Sequence, residues 1–209
     1  MRPHDPRFSF NVLPAPLLEA VAASTIASLF NVNMIWDFYC GKMMVYERRL
    51  VAWLAELAGW DADAAGGCST FGGKATLLYA IKSGLNRSHR RSVARGLVGD
   101  AVVVTTWSNH YSLETVCSFL GVGTERCLRV TCDDQERISL SGLESTLREQ
   151  LDRGRRIGGI VLSGGSTLDH NIDPVAEVAA LRDRLVEEYR LDYRPHIHLD
   201  TVNGWIWLL

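Results

Sequence analysis

Apolar positions along this chain recur first at helical and then at strand spacing. An entry segment, residues 1–14, holds three prolines and favours extended backbone. Over residues 15–30, Leu17, Leu18, Val21, Ile26 and Leu29 fall on broad helical faces. A polar and aromatic link, NVNMIWDFYCGK, leads to a second helical pattern over 43–60, with Val45, Leu50, Trp53, Leu54 and Leu57 on its stripe and Gly59 as its stop. The rhythm then changes. A Gly-rich turn (66–73) opens the helix GGKATLLYAIKSGL, and AVVVTT (101–106) reads as a buried strand. YSLETVCSFLG is a helix ended by Gly121, CLRVTC a second strand, and SLSGLESTLREQLDRG a helix with Ser139 as N-cap. GGIVLSGG is a third strand. DPVAEVAALRDRLVEEYR is a helix with Asp173 as N-cap and Pro174 at its first position, and PHIHLD is a fourth strand. Short apolar strands joined through helices of roughly 10–18 residues imply a mostly parallel sheet with helices on both faces. The fold class is therefore α/β, preceded by a helical segment, with 1–60 and 61–209 as its two parts.

Composition narrows the function classes. At 209 residues, 47% apolar and 22% charged, the chain can bury a sizeable core and is neither disordered nor fibrous. A net charge of −2 gives no electrostatic ground for a nucleic-acid or anionic-membrane partner. The Arg-rich stretch NRSHRRSVARG (86–96) is local and reads as a solvated face. Five scattered cysteines without a CxxC pair argue against a disulfide framework and a zinc site, and point to a reducing compartment. Glu19 interrupts the apolar run LLEAVAASTIASLF, and no stretch of about 18 apolar residues spans a bilayer. A cytoplasmic protein is expected.

In parallel sheets ligands bind beyond the carboxyl ends of the strands, which here directs attention to SNHYS, SGGST and Asp200. The turn CSTFGGKAT is not a nucleotide P-loop, because Cys68 and Ala75 stand where that motif needs Gly and Ser or Thr. Its glycines still let a backbone approach an anion at a helix N-terminus, although a tight connection alone would explain them. His110, between a strand and a helix, taken alone reads as a cap or a packed residue before a catalytic group. Asp200, at the mouth of a strand, needs a cation or donors, as an N-cap or a metal ligand would have.

Together, in this order, FGGKATLLYAI, NHYSLETVCSFLGVG, LSGGSTLDHNIDPVAEV and HIHLDTVNGW resemble the group II pyridoxal-phosphate-dependent amino-acid decarboxylases. That family includes the glutamate, cysteine-sulfinate, diaminobutyrate and aromatic amino-acid enzymes. DPRFSFNVLPAPLL and the segment from Asn31 to Trp60 look like its N-terminal, substrate-side part. The resemblance implies a fold type I large domain, cut short, and pyridoxal 5'-phosphate as cofactor. It implies that Gly72 and Gly73 hold the phosphate, that His110 stacks on the ring, and that Asp200 keeps the ring nitrogen protonated. Thr167 takes the loop position beside the cofactor, and Val202 stands where relatives place a small alanine against the ring. Lys74 reads as solvent-facing. Asn33, Met34 and Trp36 fall where the family lines its substrate side, and NVNM leans toward the acidic-substrate members.

The resemblance also implies a cofactor-bearing lysine some way after the aspartate strand. The chain has three lysines, Lys42, Lys74 and Lys82, all before Asp200. The expectation is an N-terminal subunit of a two-chain decarboxylase, in which a complementary C-terminal chain supplies the lysine. The family's shared active site then implies a dimer of heterodimers. Trp205, Ile206, Trp207, Leu208 and Leu209 are the expected interface. The alternative is a lysine-less homologue that regulates or stabilises a partner, and reactions other than simple decarboxylation stay open.

Overall fold

The computed structural model describes residues 16–97, 99–167 and 169–205. The expected entry segment and tail residues Ile206, Trp207, Leu208 and Leu209 lie outside them. The chain divides into two compact units, with the boundary between Ser69 and Thr70.

The first unit is helical. Helix α1 (Leu18–Phe30) ends where Asn31 adopts a left-handed conformation, φ 44°, and its N–H closes on Ala27 O. A short α2 (Asp37–Cys40) precedes α3 (Met43–Leu57), after which Gly59 turns the chain at φ 71°. Helix α1 buries no residue and α3 buries only Ala55. The stripe residues Leu18, Val21, Ile26, Val45, Leu50 and Trp53 are all exposed. Ser69 is tied to α3, donating its N–H and hydroxyl to the Glu47 carboxylate at 2.7 and 2.5 Å. Those two bonds hold the Glu47 carboxyl below its ordinary value.

The second unit is a four-stranded, all-parallel sheet in the order β2-β1-β3-β4. Its strands are β1 (Ala101–Thr106), β2 (Cys127–Val130), β3 (Arg156–Ser163) and β4 (Ile197–Asp200). Side chains alternate across it, as the two-residue period requires. Val102, Val104, Ile160 and Leu162 pack with α7 (Leu140–Asp152) and α8 (Val175–Glu188) on one face. Ala101, Val103 and Val161 pack with α4 (Gly73–Ser88) and α6 (Ser112–Phe119) on the other. Fully burying each valine, leucine or isoleucine contributes about 1.5–3 kcal/mol, so the two layers hold the sheet.

Helix α4 approaches the sheet closely because three glycines meet there. The β1–β3 register shifts between Val102 and Val103, skipping Gly158. A Cβ at Gly158 would lie 2.6 Å from Leu85 Cδ2, and one at Gly84 would collide with Gly158 O. Gly159 leaves room for Ile81 in the same way. Ser88 O, at the end of α4, accepts from Arg156 Nε at the start of β3. Helix α4 therefore runs antiparallel to the strands, with its N-terminus at their carboxyl ends.

Ser139 caps α7 as expected, accepting the Gly142 N–H at 3.2 Å. Asp173 does not cap α8. The cap position is Pro174, without a side-chain bond, and the helix starts at Val175. Asp173 is instead 2% exposed, and its two oxygens accept the N–H groups of Ile138 and Ser163, each at 2.7 Å. Tertiary donors outcompete the helix end for this carboxylate.

Candidate functional site

The strand order reverses between β1 and β3, since the chain steps from β1 to β2 on one side and adds β3 and β4 on the other. In open parallel sheets the ligand crevice opens at that point, beyond the carboxyl ends. The segments there are Trp107–Tyr111 after β1, Gly164–Thr167 after β3 and Thr201–Gly204 after β4.

The loop after β1 is braced from beneath. Asn109, 9% exposed, accepts the His110 N–H at 2.7 Å and donates to Val161 O. Arg129 of β2 donates to the carbonyls of Thr106, Trp107 and Asn109 at 3.0, 3.4 and 3.2 Å, and pairs with Glu114 at 3.0 Å. Its guanidinium also lies over the Trp107 ring. His110 is exposed. Its Nδ1 accepts the Ser112 N–H at 3.1 Å, which places the proton of the neutral ring on Nε2. The Tyr111 ring stacks on it at 4.4 Å.

The N-terminus of α4 carries an anion-binding geometry. Gly72 sits at φ 108°, in a region that glycine alone adopts freely, and among the described residues no side chain caps the helix. Its first N–H groups and dipole end thus face outward. Thr70 and Thr76 join hydroxyls beside this turn. Gly73 lies against Val202, with an added Cβ 3.5 Å from its Cγ2. Lys74 is exposed, as expected, but not idle: its Nζ stands 5.9 Å from the Tyr111 ring centroid.

Asp200 pairs in register with Ser163, at the end of β4. One carboxylate oxygen accepts the Val202 N–H at 3.2 Å, and the other has no partner among the described residues. Burial holds the imidazole of His198, two residues earlier, below its ordinary value, partly opposed by Asp200. The loops after β3 and β4 interlock through glycine. Gly165 is at φ 104° and a Cβ there would lie 2.7 Å from Gly204 N, while Gly164 N–H donates to Asp200 O. Thr167 follows two residues later and is half-buried.

The structure thus gathers Gly72, Gly73, His110, Asp200 and Val202 around one crevice mouth, linked through the Val202–Gly73 and Lys74–Tyr111 contacts. Asn33 and Trp36 are exposed and Met34 half-buried in the first unit. Arg129 escaped the sequence reading, and Asp173 entered it only as a helix cap, not as the acceptor of the Ile138 and Ser163 N–H groups. Asn171 adds to these two by donating to Ser108 Oγ and Glu136 O, joining the loops after β1, β2 and β3. Among the described residues no group of three or more His, Cys, Asp or Glu could hold a metal ion, and no helix is long and apolar enough to cross a membrane.

The family model of the pyridoxal-dependent decarboxylase conserved domain matches residues 2–205. The chain belongs to this family. Among solved structures, mouse CSAD is similar at TM-score 0.84 and 22% identity, over 97% of this chain and 41% of that one. The glutamate decarboxylase domain of diaminobutyrate-pyruvate transaminase and L-2,4-diaminobutyrate decarboxylase from Vibrio parahaemolyticus gives 0.76 and 20%, over 93% and 42%. Oryza sativa TDC, solved with PLP and tryptamine, gives 0.74 and 17%, over 92% and 42%. The chain therefore spans about two-fifths of the length of these decarboxylases and shares their fold. The crevice suits the family's cofactor: an uncapped helix end for phosphate, an imidazole with a fixed tautomer, and a carboxylate oxygen still without a donor.

Proposed function

We propose that this chain forms the cofactor-side part of a pyridoxal-phosphate-dependent L-amino-acid decarboxylase. The observation that carries the reading is the open oxygen of Asp200 at the same crevice mouth as the uncapped N-terminus of α4 and His110. When bound, pyridoxal phosphate takes up the electron pair left at Cα as carbon dioxide departs. Gly72, Gly73 and the first N–H groups of α4 bind its phosphate without a side chain in the way. Asp200 holds the proton on the pyridine nitrogen, since an opposed charge favours the cationic ring. His110 stacks on the ring, its orientation set by Ser112 and Asn109. Thr167 and Val202 flank the cofactor, and the family resemblance assigns Asn33, Met34 and Trp36 to recognition of an acidic substrate.

Lys42, Lys74 and Lys82 all precede the aspartate strand, so the lysine that anchors the cofactor comes from polypeptide outside residues 1–209. We assign it to a complementary chain. Strand β4 leaves an edge for such polypeptide, because among the described strands it pairs with β3 alone. The exposed apolar residues of α1 and α3 and Trp205, 41% exposed, support further cover in a dimer of heterodimers. All five cysteines are unpaired, in keeping with the cytoplasm.

Asp200→Asn in the assembled enzyme tests the reading. Turnover on a panel of acidic and aromatic L-amino acids should fall about a hundredfold or more, with the cofactor still bound. Wild-type turnover in this variant rejects the role of Asp200. Borohydride reduction and peptide mapping should find the cofactor on a partner lysine; an adduct on Lys42, Lys74 or Lys82 rejects the two-chain assignment.

A further inference from the structure

At the opposite, amino-terminal end of the sheet lies a cavity of about 420 Å³ that the decarboxylase reading does not use. Its volume falls within the range of small-molecule sites, roughly 300–1,000 Å³. The end of α4, the short helix α5 (Ser92–Arg95) and the start of β3 border this open hollow. Four arginines line it, Arg90, Arg91, Arg95 and Arg156, with Asp192 as the single acidic residue in the lining.

That carboxylate is already engaged. Arg156 pairs with Asp192 Oδ1 at 2.5 Å, donates to Ser88 O, and lies 4.1 Å from the Tyr193 ring centroid. Arg90 donates to the Asp192 carbonyl at 3.2 Å. Arg91 and Arg95 have no carboxylate partner among the described residues. Elsewhere in this unit arginines commonly face an acid, as Arg126 does Asp100, Arg137 Asp133, and Arg148 both Glu144 and Glu188. His89, also in the cavity wall, has a buried Nε2 with no hydrogen-bond partner among the described residues. A concave surface with surplus positive charge concentrates anions.

We infer that this cavity binds a small multivalent oxyanion of the phosphate class, held by the uncommitted guanidinium groups of Arg91 and Arg95. A monovalent anion leaves part of that charge unbalanced, whereas a phosphate dianion matches both groups, and guanidinium forks fit its oxygens in pairs. The site is separate from the uncapped N-terminus of α4, which lies at the other end of that helix.

Isothermal titration of the full chain at constant ionic strength tests this, with inorganic phosphate, glycerol 3-phosphate and chloride as probes. Saturable binding of a phosphate species, unmatched by chloride, is expected. The Arg91→Gln/Arg95→Gln variant should weaken it at least about tenfold. Arg184→Gln, an exposed arginine on α8 outside both this cavity and the α4 N-terminus, should leave it unchanged. Tighter binding of the ester than of inorganic phosphate identifies a phosphorylated metabolite as the ligand, and the reverse order identifies the free ion. Both altered side chains are exposed, so folding should survive, and circular dichroism melts verify it. No saturable binding, equal binding by the double variant, or equal competition by chloride overturns the inference.

Discussion

Replacing Arg129 should loosen the loop that presents His110 more than it weakens the sheet beneath it. The Arg129 side chain is 9% exposed and reaches three carbonyls of residues 106–109 together with Glu114. Arg129→Met removes every donor at once. Each carbonyl left unsatisfied in a buried place costs about 1–3 kcal/mol, whereas Glu114, with its side chain 47% exposed, regains water. Thr106 O retains the Asn109 N–H, so the loss should total about 2–4 kcal/mol rather than the full sum. Arg129→Lys keeps one donor direction and should cost about half as much. Equilibrium urea unfolding measures this, and Trp107, whose ring lies under the guanidinium, offers a local fluorescence probe. Hydrogen exchange should accelerate at His110 and Ser112 while the β1 amides stay protected. Two results refute the reasoning. One is a loss below about 0.5 kcal/mol in Arg129→Met. The other is an equal loss in Glu114→Gln, which would make the ion pair, not the carbonyl brace, the source of stability.

Two further tests address buried groups. Asp173→Asn leaves one of two N–H groups facing an amide donor and should cost about 1–3 kcal/mol, with Asp173→Ala costing roughly twice that; denaturant midpoints decide it, and unchanged midpoints reject the double-acceptor role. Burial, helped by His198, Arg87 and Arg182, lowers the His196 pKa from 6.5 to about 4. A lowered base favours the neutral fold, so the stability it contributes is present above pH 6.5 and lost as pH falls through about 4. Allowing for solvent screening of a half-buried ring, that loss is about 2 kcal/mol. His196→Gln should flatten part of the acid slope of the urea midpoint, with His198 retaining the remainder.

Much of the architecture was legible because the chain keeps its periods cleanly. AVVVTT is β1 from end to end, since six buried, mostly β-branched residues admit no other reading of that run. Strand β2 stops at Val130, two residues before the reading CLRVTC, because Cys132 leaves the ladder to bridge Ile138. Strand β3 starts earlier, at Arg156, whose N–H finds Asp100 O. The crevice residues were visible because they follow strand ends. Their supports were not. Asp173-Pro174 satisfies every local rule for a helix start, and only the folded chain brings the Ile138 and Ser163 amides to it. Arg129 is one polar residue in a short strand, and its partners lie 15 to 23 positions upstream. In α1 and α3 the helical period was correct, yet it said nothing about what covers their apolar faces.

The glycine contact between α4 and β3 makes that helix a lever. Gly84 rests on Gly158 as on a fulcrum, and Gly73 is about 16 Å away along the axis at 1.5 Å per residue. A tilt of about 5° there would swing the far tip by about 1.4 Å, which is enough to cost roughly a hundredfold in a positioned reaction. A single methyl group at Gly84 would therefore be felt as a misaimed helix tip, where we propose that the phosphate binds. Variation at that unremarkable helix position should be read as a change of aim, not of surface.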